Sequence, residues 1–142
     1  MQPPVLTAAD LEARLSAEFP QRLFKRGGGL AIADVWHGGC RIRLGVASPM
    51  LRSGGTISGP TMMMLADVAM YVAVLASIGW KPMAATTNLN INFLKKPGAA
   101  ALIAECRLIK LGRRLAVGEV SICSEGEEEM VAHATLTYSI PP

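Results

Sequence analysis

Residues 52–77 read RSGGTISGPTMMMLADVAMYVAVLAS, and the fold follows from how that stretch is read. From Thr61 to Ser77 almost every residue is apolar, so a helix made of them has no polar face to give to water and belongs at the centre of a domain. Ser58, Gly59 and Pro60 mark its start. Ser58 suits the N-cap, and Pro60 brings a preset helical φ to a turn where its missing N–H loses no bond. The helix is predicted to begin near Gly59 and to end near Gly79, with Pro82 beyond it as a stop signal. One charge, Asp67, interrupts the run. A buried carboxylate is either satisfied by neighbouring polar groups or kept for chemistry. The unpaired N–H groups near Gly59, at the positive end of the helix dipole, can receive an oxyanion or polarise a carbonyl, and a glycine there admits close approach. Asp67 within the run, and the absence of a companion segment, favour a buried globular helix over a membrane span, so no membrane partner is expected.

Working outward, the chain before this helix opens with Thr7 and Asp10 spaced as a capping box. Leu11, Leu15 and Phe19 then recur every four residues up to Pro20, a short amphipathic helix. Arg22, Lys25 and Arg26 lead into Gly27, Gly28 and Gly29, read as a connector rather than a phosphate-binding loop. Leu30 to His37 and Cys40 to Val46 read as strands joined at Gly38 and Gly39, with Cys40, Ile42, Leu44 and Val46 on one face and Arg41 and Arg43 on the other. A loop carrying Pro49, Gly54 and Gly55 reaches the central helix. After it the periodicity changes from 3.6 to 2. Between Thr86 and Leu94, Thr87, Leu89, Ile91 and Phe93 alternate with Thr86, Asn88, Asn90 and Asn92. Asparagine is depleted in strands, so that polar face implies edge exposure or a polar surface at an interface or ligand groove. Ala100 to Leu111, Leu115 to Cys123 and Met130 to Ile140 complete a meander. The last strand puts Met130, Ala132, Ala134, Leu136, Tyr138 and Ile140 on one face and His133 on the other. The expected class is α+β, one antiparallel sheet wrapped around one long helix. The sheet's second face is too apolar in places for water, which implies dimerisation.

Composition sets bounds. At 142 residues and 51% apolar, residues 1–142 should form a single domain, with a helix and connector over 1–29 and the core over 30–140. The formal charge of +3 is spread along the chain without an arginine-rich block or zinc-ligand spacing, which argues against a nucleic-acid partner and for a small anionic ligand. Cys40, Cys106 and Cys123 read as reduced, mostly buried thiols of a cytoplasmic protein. No signal peptide is evident, and neither His37 nor His133 has companions at metal-ligand spacing, so no metal is expected.

The segments GGTISGPTMMMLADVA (54–69) and TTNLNINFLKKPG (86–98), with the Gly112-Arg113 turn and the closing VAHATLTY (131–138), resemble hotdog-fold acyl-CoA thioesterases of the PaaI-like group that serves phenylacetic acid degradation. The resemblance spans about Leu30 to Ile140. It implies the hotdog fold, hydrolysis of an acyl-CoA to a carboxylic acid and coenzyme A, no cofactor beyond the coenzyme A of the substrate, and active sites between the subunits of a homodimer or dimer of dimers. In such enzymes the helix opens with His-Gly-Gly and carries an acid eight residues after the first glycine. That assigns the carbonyl-polarising amide to Gly59 and the nucleophile or general base to Asp67, while Thr86 matches a residue that places the hydrolytic water. The same comparison assigns substrate contacts to Arg52, Ser58, Pro60, Asn88, Lys95, Lys96, Gly112, Arg113 and Arg114, with Lys95, Lys96, Arg113 and Arg114, together with Lys110, meeting coenzyme A phosphates. Here Ser58, Pro60 and Arg52 stand where the family has His, Gly and Asn, and a domain that binds acyl-CoA without turnover is the rival expectation. Eight residues of helix rise roughly 12 Å, too far for one carbonyl to touch both Gly59 N–H and the Asp67 carboxylate. Gly59 of one chain is therefore expected to work with Asp67 of the other.

Overall fold

The computed structural model of the chain describes residues 2–18, 29–45, 51–52 and 55–142, with 51 and 52 by backbone alone. Phe19, Pro20, Arg22, Lys25, Arg26, Gly27, Gly28, Val46, Pro49, Gly54 and the Arg52 side chain lie outside the described residues. In chain order the elements are α1 (Ala8–Glu18), β1 (Leu30–Trp36), β2 (Gly39–Leu44), β3 (Leu51–Arg52), β4 (Thr56–Ile57), α2 (Gly59–Ile78), β5 (Ala85–Phe93), β6 (Leu102–Leu111), β7 (Leu115–Ser124) and β8 (Met130–Ser139). Six strands form one sheet in the order β1-β2-β6-β7-β8-β5, every neighbouring pair antiparallel, while β3 and β4 form a separate small hairpin. The α+β architecture is the hotdog fold, a sheet wrapped around a long helix.

Helix α2 runs unbroken from Gly59 to Ile78 because no Gly or Pro follows its first two residues, Ala, Leu and Met outnumber its β-branched residues, and its ends are marked. Ser58 is extended and accepts the Thr61 N–H at its hydroxyl, and Gly79, at φ 99°, ends the helix with its N–H on the Leu75 carbonyl. Leu65, Met70, Val72, Val74 and Leu75 are fully buried against the sheet. Each such side chain contributes about 1.5–3 kcal/mol by leaving water. The sheet admits the helix closely at Gly118, where a Cβ would stand 2.7 Å from the Met70 sulfur. Ile42, Leu44, Leu102, Ile122 and Leu136 complete the core from the sheet side. The Thr7–Asp10 capping box opens α1, with Asp10 N–H on Thr7 Oγ1 at 3.1 Å and Thr7 N–H on Asp10 Oδ2 at 3.3 Å. Leu11 and Leu15 are buried beneath it.

Four local readings are corrected. The β1–β2 turn is His37-Gly38 rather than Gly38-Gly39. Gly38 takes φ 101°, whereas Gly39 is already in the strand, where a Cβ would meet the Cys106 carbonyl and the Trp36 ring. In β8 a register shift opposite Ile122 and Cys123 sets Val131 in the core and leaves Met130 exposed. In β5 a shift between Thr86 and Asn88 pairs Thr86 with Tyr138 and Leu89 with Leu136. One extra residue reverses the alternation, so Thr86 joins the helix-facing side and leaves the asparagines on the other. The outer face of the sheet, finally, is laced with charge. Arg41 meets Glu105 at 3.0 Å, Arg43 meets Glu125 at 2.8 Å, Arg107 meets Glu119 at 2.8 Å, and His133 lies 3.5 Å from Glu119. Those ion pairs wet the middle of that face; exposed apolar side chains remain at its margins, with Ile109 and Leu115 beside the β6–β7 turn and Met63, Phe93 and Leu94 around the start of α2 and the end of β5.

Candidate active site

The first turn of α2 holds one unclaimed donor. Pro60 has no N–H, the Thr61 N–H goes to Ser58 Oγ at 3.3 Å, and the Met62 N–H goes to the Ser58 carbonyl at 3.2 Å. Among the described residues the Gly59 N–H donates to nothing, and it stands at the positive end of a twenty-residue helix. The Phe93 ring covers Gly59, its nearest carbon 3.2 Å from where a Cβ would sit. Ser58 Oγ also shares a hydrogen bond with Thr61 Oγ1 at 2.9 Å, so its side chain serves the helix cap.

Two turns further on, Asp67 points toward the end of β8 and the start of β5. Its Oδ1 accepts the Tyr138 hydroxyl at 2.6 Å and the Thr86 hydroxyl at 2.7 Å. The bulge in β5 and the inward position of Tyr138 on β8 make this meeting possible. Tyr138 Oη also lies 3.1 Å from the Asp67 main-chain oxygen. Oδ2 accepts no hydrogen bond among the described residues, and none of their buried side-chain oxygens lacks a partner, so Oδ2 is not sealed from solvent. Burial pushes the Tyr138 phenol far above its usual ionisation range, and its hydrogen bond to Asp67 adds to the effect. The phenol therefore remains a donor. Tyr71, one turn after Asp67, lies 6.2 Å from Tyr138 between ring centroids and donates its hydroxyl to the Pro82 carbonyl at 2.9 Å.

A groove of about 540 Å³ opens between the start of α2 and the end of β5, and Gly59, Pro60, Phe93, Lys95 and Lys96 line it. Lys95 is paired with Glu129 at 3.1 Å, which holds its ammonium above its ordinary pKa, while Lys96 makes no ion pair among the described residues. Gly112, Arg113 and Arg114 form the β6–β7 turn, fixed by Gly112 N–H on the Leu115 carbonyl and by Ile140 N–H on the Arg114 carbonyl, each 2.8 Å. These cations do not form one patch within a chain. Lys95 N–H bonds Val131 at the start of β8 and Arg114 bonds Ile140 past its end, so the two groups are separated by nine residues of strand, roughly 30 Å. Asn88 lies opposite Thr137 on the outer side of β5, away from Asp67. The backbone of Arg52 pairs with Thr56 in the small hairpin.

Sequence reasoning missed Tyr138 by placing it among core residues. The available signal was its hydroxyl, since a tyrosine on a buried face needs a partner for that group. Cysteine chemistry is disfavoured. Cys40 and Cys106 are fully buried, and burial pushes the Cys106 thiol up to about 12.

Comparison with known proteins agrees with the fold. The chain is 44% identical to a "putative thioesterase" of Silicibacter sp. TM1040, whose crystal structure superposes with a TM-score of 0.86 over 98% of this chain and 94% of that one. It is 26% identical to a mutant form of the phenylacetic acid degradation protein PaaI from Thermus thermophilus, with a TM-score of 0.72 over 83% of this chain and 98% of that one. A "putative esterase" of Halobacterium salinarum is 28% identical over 105 residues, which cover 70% of this chain and 68% of that protein. The family model described as the thioesterase superfamily matches residues 54–131, more than half of the chain. The chain therefore belongs to the thioesterase superfamily, within the hotdog-fold thioesterases.

Proposed function

We propose that the protein is an acyl-CoA thioesterase acting as a homodimer, with each site built from two chains. The observation that carries this reading is the placement of two incomplete half-sites at opposite ends of one open edge strand. Gly59, its unclaimed N–H, Lys95 and Lys96 stand at the Phe93 end of β5; Asp67, Thr86 and Tyr138 stand at the Ala85 end, with Arg113 and Arg114 on the neighbouring turn. Unbroken α2 keeps the halves apart within one chain. β5 pairs only with β8 among the described strands, so its other edge is free for a second copy. Antiparallel two-fold pairing about the middle of β5 sets the Phe93 end of one chain beside the Ala85 end of the other. Gly59 then approaches Asp67 of the partner subunit.

In this arrangement the thioester carbonyl accepts the Gly59 N–H, which stabilises the oxyanion as it forms. Asp67 Oδ2 takes a proton from water while the water oxygen adds to the carbonyl carbon; alternatively Oδ2 adds directly and water later cleaves the anhydride. The C–S bond breaks, coenzyme A leaves as thiolate, and the proton returns to its sulfur. The cations at the two ends of β5 would then flank one substrate and meet its phosphates.

A second reading, acyl-CoA binding without turnover, draws on Ser58. Its hydroxyl is occupied at the helix cap, where the family's histidine would orient the substrate. Thiol release from a panel of aliphatic and aromatic acyl-CoAs separates the two. Hydrolysis predicts turnover that falls by about 10²–10⁴-fold in a folded Asp67→Asn variant. Saturable binding with no thiol release establishes the second reading, and equal activity in Asp67→Asn removes the mechanism.

A further inference from the structure

We propose that Tyr138 is a positioning residue of the hydrolytic site: with Thr86 it fixes Oδ1 of Asp67, which leaves Oδ2 as the one oxygen that reacts. The proposal rests on the hydrolytic reading of Asp67 and adds to it which oxygen acts and what holds it. Tyr138 lies beyond the stretch matched by the superfamily model.

Three features of the chain carry it. First, both hydroxyls converge on the same oxygen, at 2.6 and 2.7 Å, while the other accepts no hydrogen bond among the described residues. A carboxylate held by two donors on one side cannot rotate without breaking both bonds, and hydrogen bonds to a charged acceptor are the stronger kind. Second, Tyr138 cannot turn away. It is 3% exposed and its ring packs beside Tyr71. The single phenolic proton favours the carboxylate over the Asp67 main-chain oxygen at 3.1 Å, because the carboxylate is nearer and charged. Third, the two donors come from different strands paired at that point, Thr86 from β5 and Tyr138 from β8. The β5 bulge brings Thr86 to the helix side, and without it this hydroxyl would face away. The same strand pair thus sets the carboxylate's rotation and the position of the open edge, so the aim of Oδ2 is coupled to the surface where the second chain is proposed to dock.

Steady-state kinetics of Tyr138→Phe, Thr86→Val, Thr86→Ser and the Tyr138→Phe/Thr86→Val double variant provide the test, using the acyl-CoA that the wild type turns over fastest. Tyr138→Phe should lower kcat about ten- to a hundredfold with KM within about twofold, because the lost bond aims the carboxylate without touching substrate. Thr86→Val should act alike, Thr86→Ser should restore activity, and the double variant should fall toward the Asp67→Asn level. Crystal structures of wild type and double variant give a readout independent of turnover: the Asp67 carboxylate should rotate once both hydroxyls are gone. An unmoved carboxylate in the double variant, an unchanged kcat in Tyr138→Phe, or a loss confined to KM overturns the positioning role. A wild type that releases no thiol overturns hydrolysis instead, and the carboxylate's position in the double variant still decides the proposal.

Discussion

The two edges of the sheet are managed in opposite ways. At β1 the edge is closed from outside: Glu12 of α1 accepts the Ile32 N–H at 2.8 Å, and a register shift between Ile32 and Asp34 bends the strand where Asp34 caps the Val35 N–H. Such devices stop an edge from recruiting another strand. At β5 the sheet is tied from behind. Asp67 accepts the Thr86 hydroxyl from the helix side, and the outward backbone edge of a nine-residue strand carries no cover among the described residues. At β1 the carboxylates of Glu12 and Asp34 consume backbone N–H groups, whereas Asp67 takes a side-chain hydroxyl of β5 and leaves the backbone edge intact. Exposed Phe93 and Leu94 lie at the end of the uncovered strand, and no comparable exposed apolar side chain lies on β1. The difference supports β5 as the interface and β1 as a finished surface.

The strongest way to break the comparison is to place like charges on the open edge. Asn88→Lys/Asn90→Lys puts opposed cations across a β5 pairing centred on Leu89, where like charges destabilise. The expected result is a halved mass by sedimentation and a loss of thiol release of about a hundredfold or more. Ala31→Lys/Ala33→Lys adds the same charge to the exposed positions of β1 and should change neither mass nor activity. An active monomer in the first variant would end the two-chain site. The next effect in size belongs to the closed edge. Glu12→Ala leaves the Ile32 N–H without its carboxylate and should lower unfolding stability by about 1–2 kcal/mol in urea titrations at fixed protein concentration, with mass unchanged. A mass increase instead would show that Glu12 suppresses pairing at β1, and an unchanged midpoint would show that the bond contributes nothing.

Much of this contrast was legible in the sequence. The apolar run after Ser58-Gly59-Pro60 located the helix because hydrophobicity all round has few other solutions, and the Asn88, Asn90, Asn92 face offered edge exposure as one of two readings, beside a polar interface or ligand groove. What failed was parity. Alternation assigns faces only while the pleat is unbroken, and the bulge after Thr86 moved that hydroxyl across the strand. The same reasoning that placed Tyr138 on the buried face ignored its hydroxyl, so the tie between β5, β8 and Asp67 was missed. The outer face looked apolar because the pattern cannot show that Arg107, Glu119 and His133 from three strands stand side by side. Nor does spacing along the chain reveal that Lys96 and Arg113 belong to opposite ends of the sheet.

The smallest predicted effect tests whether the tie behind β5 exists in solution. The Tyr138 phenol is held protonated by burial, reinforced by its bond to Asp67, so its folded-state pKa lies above the unfolded value of about 10. A group whose folded pKa is raised contributes stability that is complete below the unfolded pKa and declines as pH rises toward the folded one. Above pH of about 10 the unfolded chain releases a proton that the folded chain keeps, which costs up to about 1.4 kcal/mol per pH unit. Cys40 and Cys106, also raised by burial, add their own alkaline slope, so wild type alone does not isolate the tyrosine. Tyr138→Phe does, because both cysteines remain. Urea midpoints between pH 9 and 11 should fall more steeply for wild type than for Tyr138→Phe. Parallel curves would mean that the phenol ionises as freely in the folded protein as in the unfolded one, and β5 would then lack the anchor that distinguishes it from β1.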